Sequence, residues 1–175
     1  RGNAKSQLED YEGAISDYSK AIEINPKHEN SYFNRALSKN DLSDNQGYLE
    51  DLTKAIELNP MNDIAFNLRG ECRYRNDDDK EGSLEDFKKA IEINPDFAEA
   101  YFNLGDLLYE FADCGNDSDE EIKEVIRCFS KAIEIDPEFY NLESAYKYRG
   151  WARNLIGDYK NAILDFTELI NLDEN

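Results

Sequence analysis

The chain has 175 residues, 40% hydrophobic and 34% charged, with 20 Lys and Arg against 39 Asp and Glu and a formal net charge of −19. That balance argues against nucleic acid, where phosphate neutralisation takes clustered Lys and Arg, and against anionic membrane surfaces. No stretch approaches the roughly 18 consecutive apolar residues of a membrane span, so no membrane insertion is expected.

The first six residues, Arg1 to Ser6, contain no apolar signal-peptide core. Three cysteines, Cys72, Cys114 and Cys128, cannot all pair within the chain and form no C-x-x-C. Neither a disulfide framework nor a zinc site is expected, and the compartment expected is a reducing, cytoplasmic one.

A hexapeptide punctuates the chain. Ala-Ile-Glu-Ile/Leu-Asn/Asp-Pro occupies 21–26, 55–60, 90–95 and 132–137, with a worn fifth copy at 169–174. The prolines at 26, 60, 95 and 137 are therefore 34, 35 and 42 residues apart. This is a tandem array with a 34-residue period and two insertions. Its units are 1–28, which starts midway through a helix, then 29–62, 63–97, 98–139 and 140–175.

Each unit reads as two helices. Ahead of each hexapeptide proline runs an apolar stripe at helical spacing, first Ala14, Tyr18 and Ala21. The same register holds Tyr48, Leu52 and Ala55, then Ser83, Phe87 and Ala90, then Val125, Phe129 and Ala132, then Ala162, Phe166 and Leu169. Proline stops this helix, because it lacks the backbone donor and crowds the preceding turn. The other helix of each unit carries a small residue at one register: Gly2, Ala36, Gly70, Gly105 and Gly150. A helical glycine costs about 1 kcal/mol against alanine, so its recurrence predicts close approach of the two helices.

Two acidic turns interrupt the period. Asn76-Asp77-Asp78-Asp79 faintly echoes a calcium loop, but the twelfth position is Lys88, where a bidentate Glu is required, and the turn is read as solvated. The longer insertion, 112–121, contains Cys114 and ends in Ser118-x-x-Glu121, a capping box that opens the next helix. No catalytic constellation stands out. His28 is the one histidine and reads as a turn residue; Cys72 and Cys128 fall within helices as packing residues. No phosphate-binding glycine loop or nucleophile elbow is present. No enzyme activity, cofactor or metal is expected.

The whole pattern resembles the tetratricopeptide repeat: 34 residues, helix-turn-helix, a small residue in the first helix and Ala-x-x-x-Phe…Pro in the second. Tyr32, Phe66, Tyr101 and Tyr146 hold the aromatic position of the first helix. Departures are Leu169 for the alanine, Glu174 for the proline, and Arg35, Arg69 and Arg149 where leucine is usual, which are expected to weaken individual contacts.

The resemblance implies an all-α fold, tandem helical hairpins stacked as a right-handed superhelical α-solenoid, with first helices lining a concave groove. It also implies the groove positions. Among them are Asn3, Asn30, Phe33 and Asn34, then Ile64, Asn67 and Leu68, then Phe102, Asn103 and Asp106, then Lys147, Tyr148 and Trp151. Asparagines there hold an extended peptide backbone without reading sequence, and aromatics add contact area. The carboxylate clamp of chaperone-adaptor members is not matched. Asn3 and Asn34 fit it, but Ile64 and Leu68 stand where cations are needed.

The function expected is a non-catalytic scaffold that binds a protein or peptide segment in the groove, basic or neutral because the ribbon is acidic. The alternative is a structural segment that self-associates through uncapped ends, the C-terminal one above all, or that carries another domain in a longer chain.

Overall fold

The computed structural model describes residues 1–77, 79–112 and 118–173, the side chains of 76, 77 and 173 excepted. The described residues form α-helices and turns, with no strand. The helices are α1 (Gly2–Gln7), α2 (Tyr11–Ile24), α3 (Glu29–Asp41), α4 (Asn45–Leu58) and α5 (Asp63–Cys72), then α6 (Lys80–Ile93), α7 (Ala98–Ala112), α8 (Asp119–Ile135), α9 (Leu142–Leu155) and α10 (Tyr159–Asp173). A π-helical turn, Arg73–Asp77, prolongs α5. The chain divides into two compact units, Arg1–Lys89 and Ala90–Asn175. In the first, α1 packs on α2, α2 on α3, α3 on α4 and α4 on α5; in the second, α7 packs on α8, α8 on α9 and α9 on α10.

The hexapeptide acquires a second physical meaning here. Its Asn or Asp closes an Asx turn after the helix, the carboxamide or carboxylate oxygen accepting from the backbone two residues on. Asn25 accepts from Lys27 N at 3.1 Å, Asn59 from Met61 at 3.2 Å, Asn94 from Asp96 at 3.1 Å and Asp136 from Glu138 at 3.0 Å. Second helices start alike. Asp10, Asp44 and Asp79 each accept from the glycine three residues on, at 3.0 Å, satisfying a donor that the helix leaves open.

The stripes form the core. Ala14, Tyr18, Tyr48, Leu52, Ala55, Phe87, Ala90, Val125, Phe129 and Ala132 are buried, while Ala21, Phe166 and Leu169 are half-buried. The small-residue register is a close approach. A Cβ on Gly70 would lie 2.7 Å from Phe87 Cε1, and one on Gly150 2.7 Å from Phe166 Cε1.

Ser118 does open α8: its N–H and its hydroxyl both donate to Glu121 Oε2, each at 2.9 Å. These bonds, the backbone one first, hold the Glu121 carboxyl below its ordinary range. Asp79 caps α6 and Lys88 sits within that helix. Asp78, Glu174 and the part of the insertion that carries Cys114 lie outside the described residues.

Candidate functional site

The three arginines expected to weaken contacts each gain a bonded set of partners. Arg35 donates to both oxygens of Asp51 at 2.7 Å, and its third bond goes to Ser19 on the preceding helix at 2.9 Å. Arg69 repeats this with Asp86 at 2.7 and 2.8 Å and Thr53 at 3.5 Å. Arg149 repeats it with Asp165 at 2.6 Å and Ser130 at 3.2 Å. A second cation, four residues on, completes each carboxylate: Lys39 on Asp51 at 2.8 Å, Arg73 on Asp86 at 2.9 Å, Arg153 on Asp165 at 2.6 Å. That cation also donates to a carbonyl in the first turn of the second helix, of Gly47, Gly82 or Asn161.

Each arginine lies over the family aromatic three residues before it, at 5.6, 5.6 and 5.3 Å from the ring centroids of Tyr32, Phe66 and Tyr146. All three aspartates are buried. The bond to Asp51 pushes the Arg35 guanidinium above its ordinary range. The arginine-for-leucine expectation is thus corrected. Each arginine has a buried, fully bonded acidic partner, and the contact is exchanged rather than weakened. Spacings of 16 or 17 from Arg to Asp were the available signal, legible only once the helices are paired.

Around this framework fall the predicted groove residues. In the first unit Asn3, Asn30 and Asn34 line one cleft of about 670 Å³. Asn34 is half-buried and donates from Nδ2 to the Asn30 carbonyl at 2.7 Å, while Asn3 accepts from the Tyr18 hydroxyl at 2.8 Å. Phe33 is half-buried on the same helix. Asn67 is different: 1% exposed, it is an interior residue.

In the second unit Asn103 and Phe102 are also interior, each 7% exposed. The Phe102 ring packs between Phe129 and Phe139, at 5.7 and 5.8 Å. Tyr148, Trp151 and Lys147 do come together. Tyr148 lies 5.8 Å from Phe129 and 5.7 Å from Trp151, and the Lys147 ammonium stands 4.7 Å above the indole. Burial, then the charge of Asp106, pushes the Tyr148 phenol up.

Tyr109 joins this shelf, 5.4 Å from Tyr148 and 6.3 Å from Trp151. The sequence reading missed it, although it lies three residues past Asp106, one turn further along the same helix face. Trp151, 40% exposed, is the open edge of the shelf.

The remaining candidates are structural. His28 precedes α3, its Nδ1 2.7 Å from the Ser31 hydroxyl. Cys72 and Cys128 are buried in their helices. Among the described residues no group of His, Cys, Asp and Glu is placed to hold a metal ion, and no helix is long and apolar enough to cross a membrane.

The family model described as TPR repeat matches residues 2–40 and 79–110. No curated protein matches the chain. Among solved structures, MamA is 24% identical with a TM-score of 0.83, covering 99% of this chain and 94% of that one. MamA 41-end from Desulfovibrio magneticus RS-1 is 20% identical at a TM-score of 0.78, covering 99% and 91%. YrrB, described as a TPR protein with an unusual peptide-binding site, is 18% identical at a TM-score of 0.79, covering 99% and 84%. Residues 2–40 and 79–110 thus match the tetratricopeptide repeat, and the chain as a whole shares the fold of these repeat proteins.

Proposed function

We propose that the chain is a non-catalytic interaction scaffold that takes a peptide or protein segment on the faces of its first helices. The observation that carries this reading is the shelf of Tyr109, Tyr148 and Trp151, three large rings gathered on α7 and α9 with the indole left open. Rings so held give contact area at little entropic cost, the composition of interface anchors. Asn34, in its cleft of the first unit, adds an amide that can donate and accept along a peptide backbone. YrrB, which shares the fold, is described as having a peptide-binding site, so the ligand class is one this fold accommodates. The charge of −19 favours a basic or neutral segment, with association that weakens as salt rises.

The test is selection of binders from a displayed peptide library, followed by titration of the best one against the parent and two variants. Trp151→Ala should weaken a peptide held on the shelf by about tenfold or more, as for an interface anchor, and Asn34→Ala one held in the first unit's cleft, with the melting temperature held. Unchanged affinity in both variants removes the first helices as the site.

A second reading rests on a separate observation. The outer face of α10 exposes Ile163 and Ile170, at 64% and 59%. Self-association through that face is the alternative function.

A further inference from the structure

Repeat four lacks the ion cluster, and it lacks all of it. Register is set by the glycine that faces a phenylalanine: Gly70 on Phe87, Gly105 on Phe129, Gly150 on Phe166. The residue before the glycine is Arg69, Leu104 or Arg149, and the residue before the phenylalanine is Asp86, Cys128 or Asp165. The second cation, Arg73 or Arg153, becomes Leu108. Leu104 and Cys128 are buried, and Leu108 packs half-buried against the core. In repeat one, where Gly2 faces Tyr18, the same positions hold Arg1, Lys5 and Asp17, and Lys5 meets Asp17 at 3.0 Å. Charged residues therefore hold these three positions in four repeats and are replaced once, as a complete set, in repeat four. Physics accounts for this. Removing one partner of a buried ion pair strands the other charge, whereas replacing the whole group with apolar side chains is close to neutral.

The set also bears on the recognition face. Arg149 and Arg153 both end on Asp165, which is 2% exposed. Trp151 lies midway between them in sequence. At 100° per residue it stands about 200° around the helix from each, on the side away from the carboxylate. Asp165 thus pins the back of α9 at two points one turn apart, and the front of that turn carries the indole.

We propose that Asp165 is a positioning residue for the aromatic shelf. Held between Arg149 and Arg153, it fixes the rotation of α9, and any matched set, ionic or apolar, does the same work. This rests on the reading of the shelf as a binding face, but its test needs no ligand. Trp151 is the chain's one tryptophan, so its fluorescence reports the shelf directly.

Three proteins are compared: the parent, Asp165→Asn, and the set Arg149→Leu, Arg153→Leu, Asp165→Cys, patterned on repeat four. Asp165→Asn should lower Tm by about 10 °C. At temperatures where its circular dichroism is still native, its Trp151 emission should shift to the red and acrylamide should quench it more. The apolar set should recover most of the Tm and the parental quenching. Two results overturn the proposal: Asp165→Asn lowering Tm while Trp151 quenching stays parental, which makes the carboxylate merely structural, or the apolar set failing to fold or to recover the Trp151 signal. Failure of the shelf as a binding face would leave all these readouts intact and appear only in peptide titration.

Discussion

Gly70 is the residue at which helix propensity and packing disagree most clearly. Alanine is the better helix former by about 1 kcal/mol. Yet its Cβ would come within 2.7 Å of Phe87 Cε1, and Phe87 has no exposed surface through which to move aside. Overpacking of this kind costs about 1–3 kcal/mol. Gly70→Ala is therefore expected to lower stability, read as a lower urea midpoint at unchanged slope. Gly105→Ala, whose nearest neighbour would be at 3.1 Å, should cost less. A gain in stability at Gly70 would show that close approach is not why glycine recurs there. The buried arginines obey the same local logic. Each is tolerable in the interior because its aspartate, its hydroxyl and its aromatic ring arrive together.

At the scale of the element, α10 differs from the other second helices. Its inner face is ordinary, with Ala162 and Asp165 buried and Phe166 half-buried. Its outer face holds Ile163, Leu164 and Ile170 in solvent. The matching positions elsewhere are covered to a greater degree: Ile56 is buried, and Ile126 and Ile133 are half-buried against the core. An apolar face of this kind commonly marks an interaction site. If the chain self-associates through it, sedimentation velocity from micromolar to millimolar protein should show a rising weight-average coefficient, and Ile163→Glu should abolish the rise. A single concentration-independent species in the parent rules the reading out. The N-terminus of α8 illustrates a different control, since one serine–glutamate pair settles where the helix begins after the acidic insertion.

Over the whole molecule, charge is the dominant long-range term. Surface pairs such as Lys54–Glu57, Lys123–Glu120 and Lys131–Glu134 are well exposed and contribute little each. They leave 39 acids against 20 bases to repel one another. Raising NaCl from low to about 0.5 M shortens the Debye length to a few ångströms and should raise Tm. The same change should weaken association with a basic peptide and leave that with a neutral one nearly unaffected. A Tm that falls with salt would mean that the buried ion clusters, rather than surface repulsion, dominate the electrostatics.

Much of this protein is legible in its sequence, because a repeat states each local rule several times. The hexapeptide marks the ends of α2, α4, α6 and α8, the stripe marks the core face, and the recurrent small residue marks the close approach; each depends on contacts within one turn or one helix pair, where spacing in sequence is spacing in space. The capping box at Ser118 is local in the same way. What tertiary structure decided are the pairings across helices. Arg35, Arg69 and Arg149 looked like flaws in a leucine position until Asp51, Asp86 and Asp165 were brought opposite them. Asn67, Asn103 and Phe102 sat at groove register, yet neighbouring helices enclose them, while Tyr109 was left out and completes the shelf. Register along a helix gives direction only; whether a side chain ends in solvent, in the core or on a buried charge depends on the helix packed against it, and that is a property of the assembled fold.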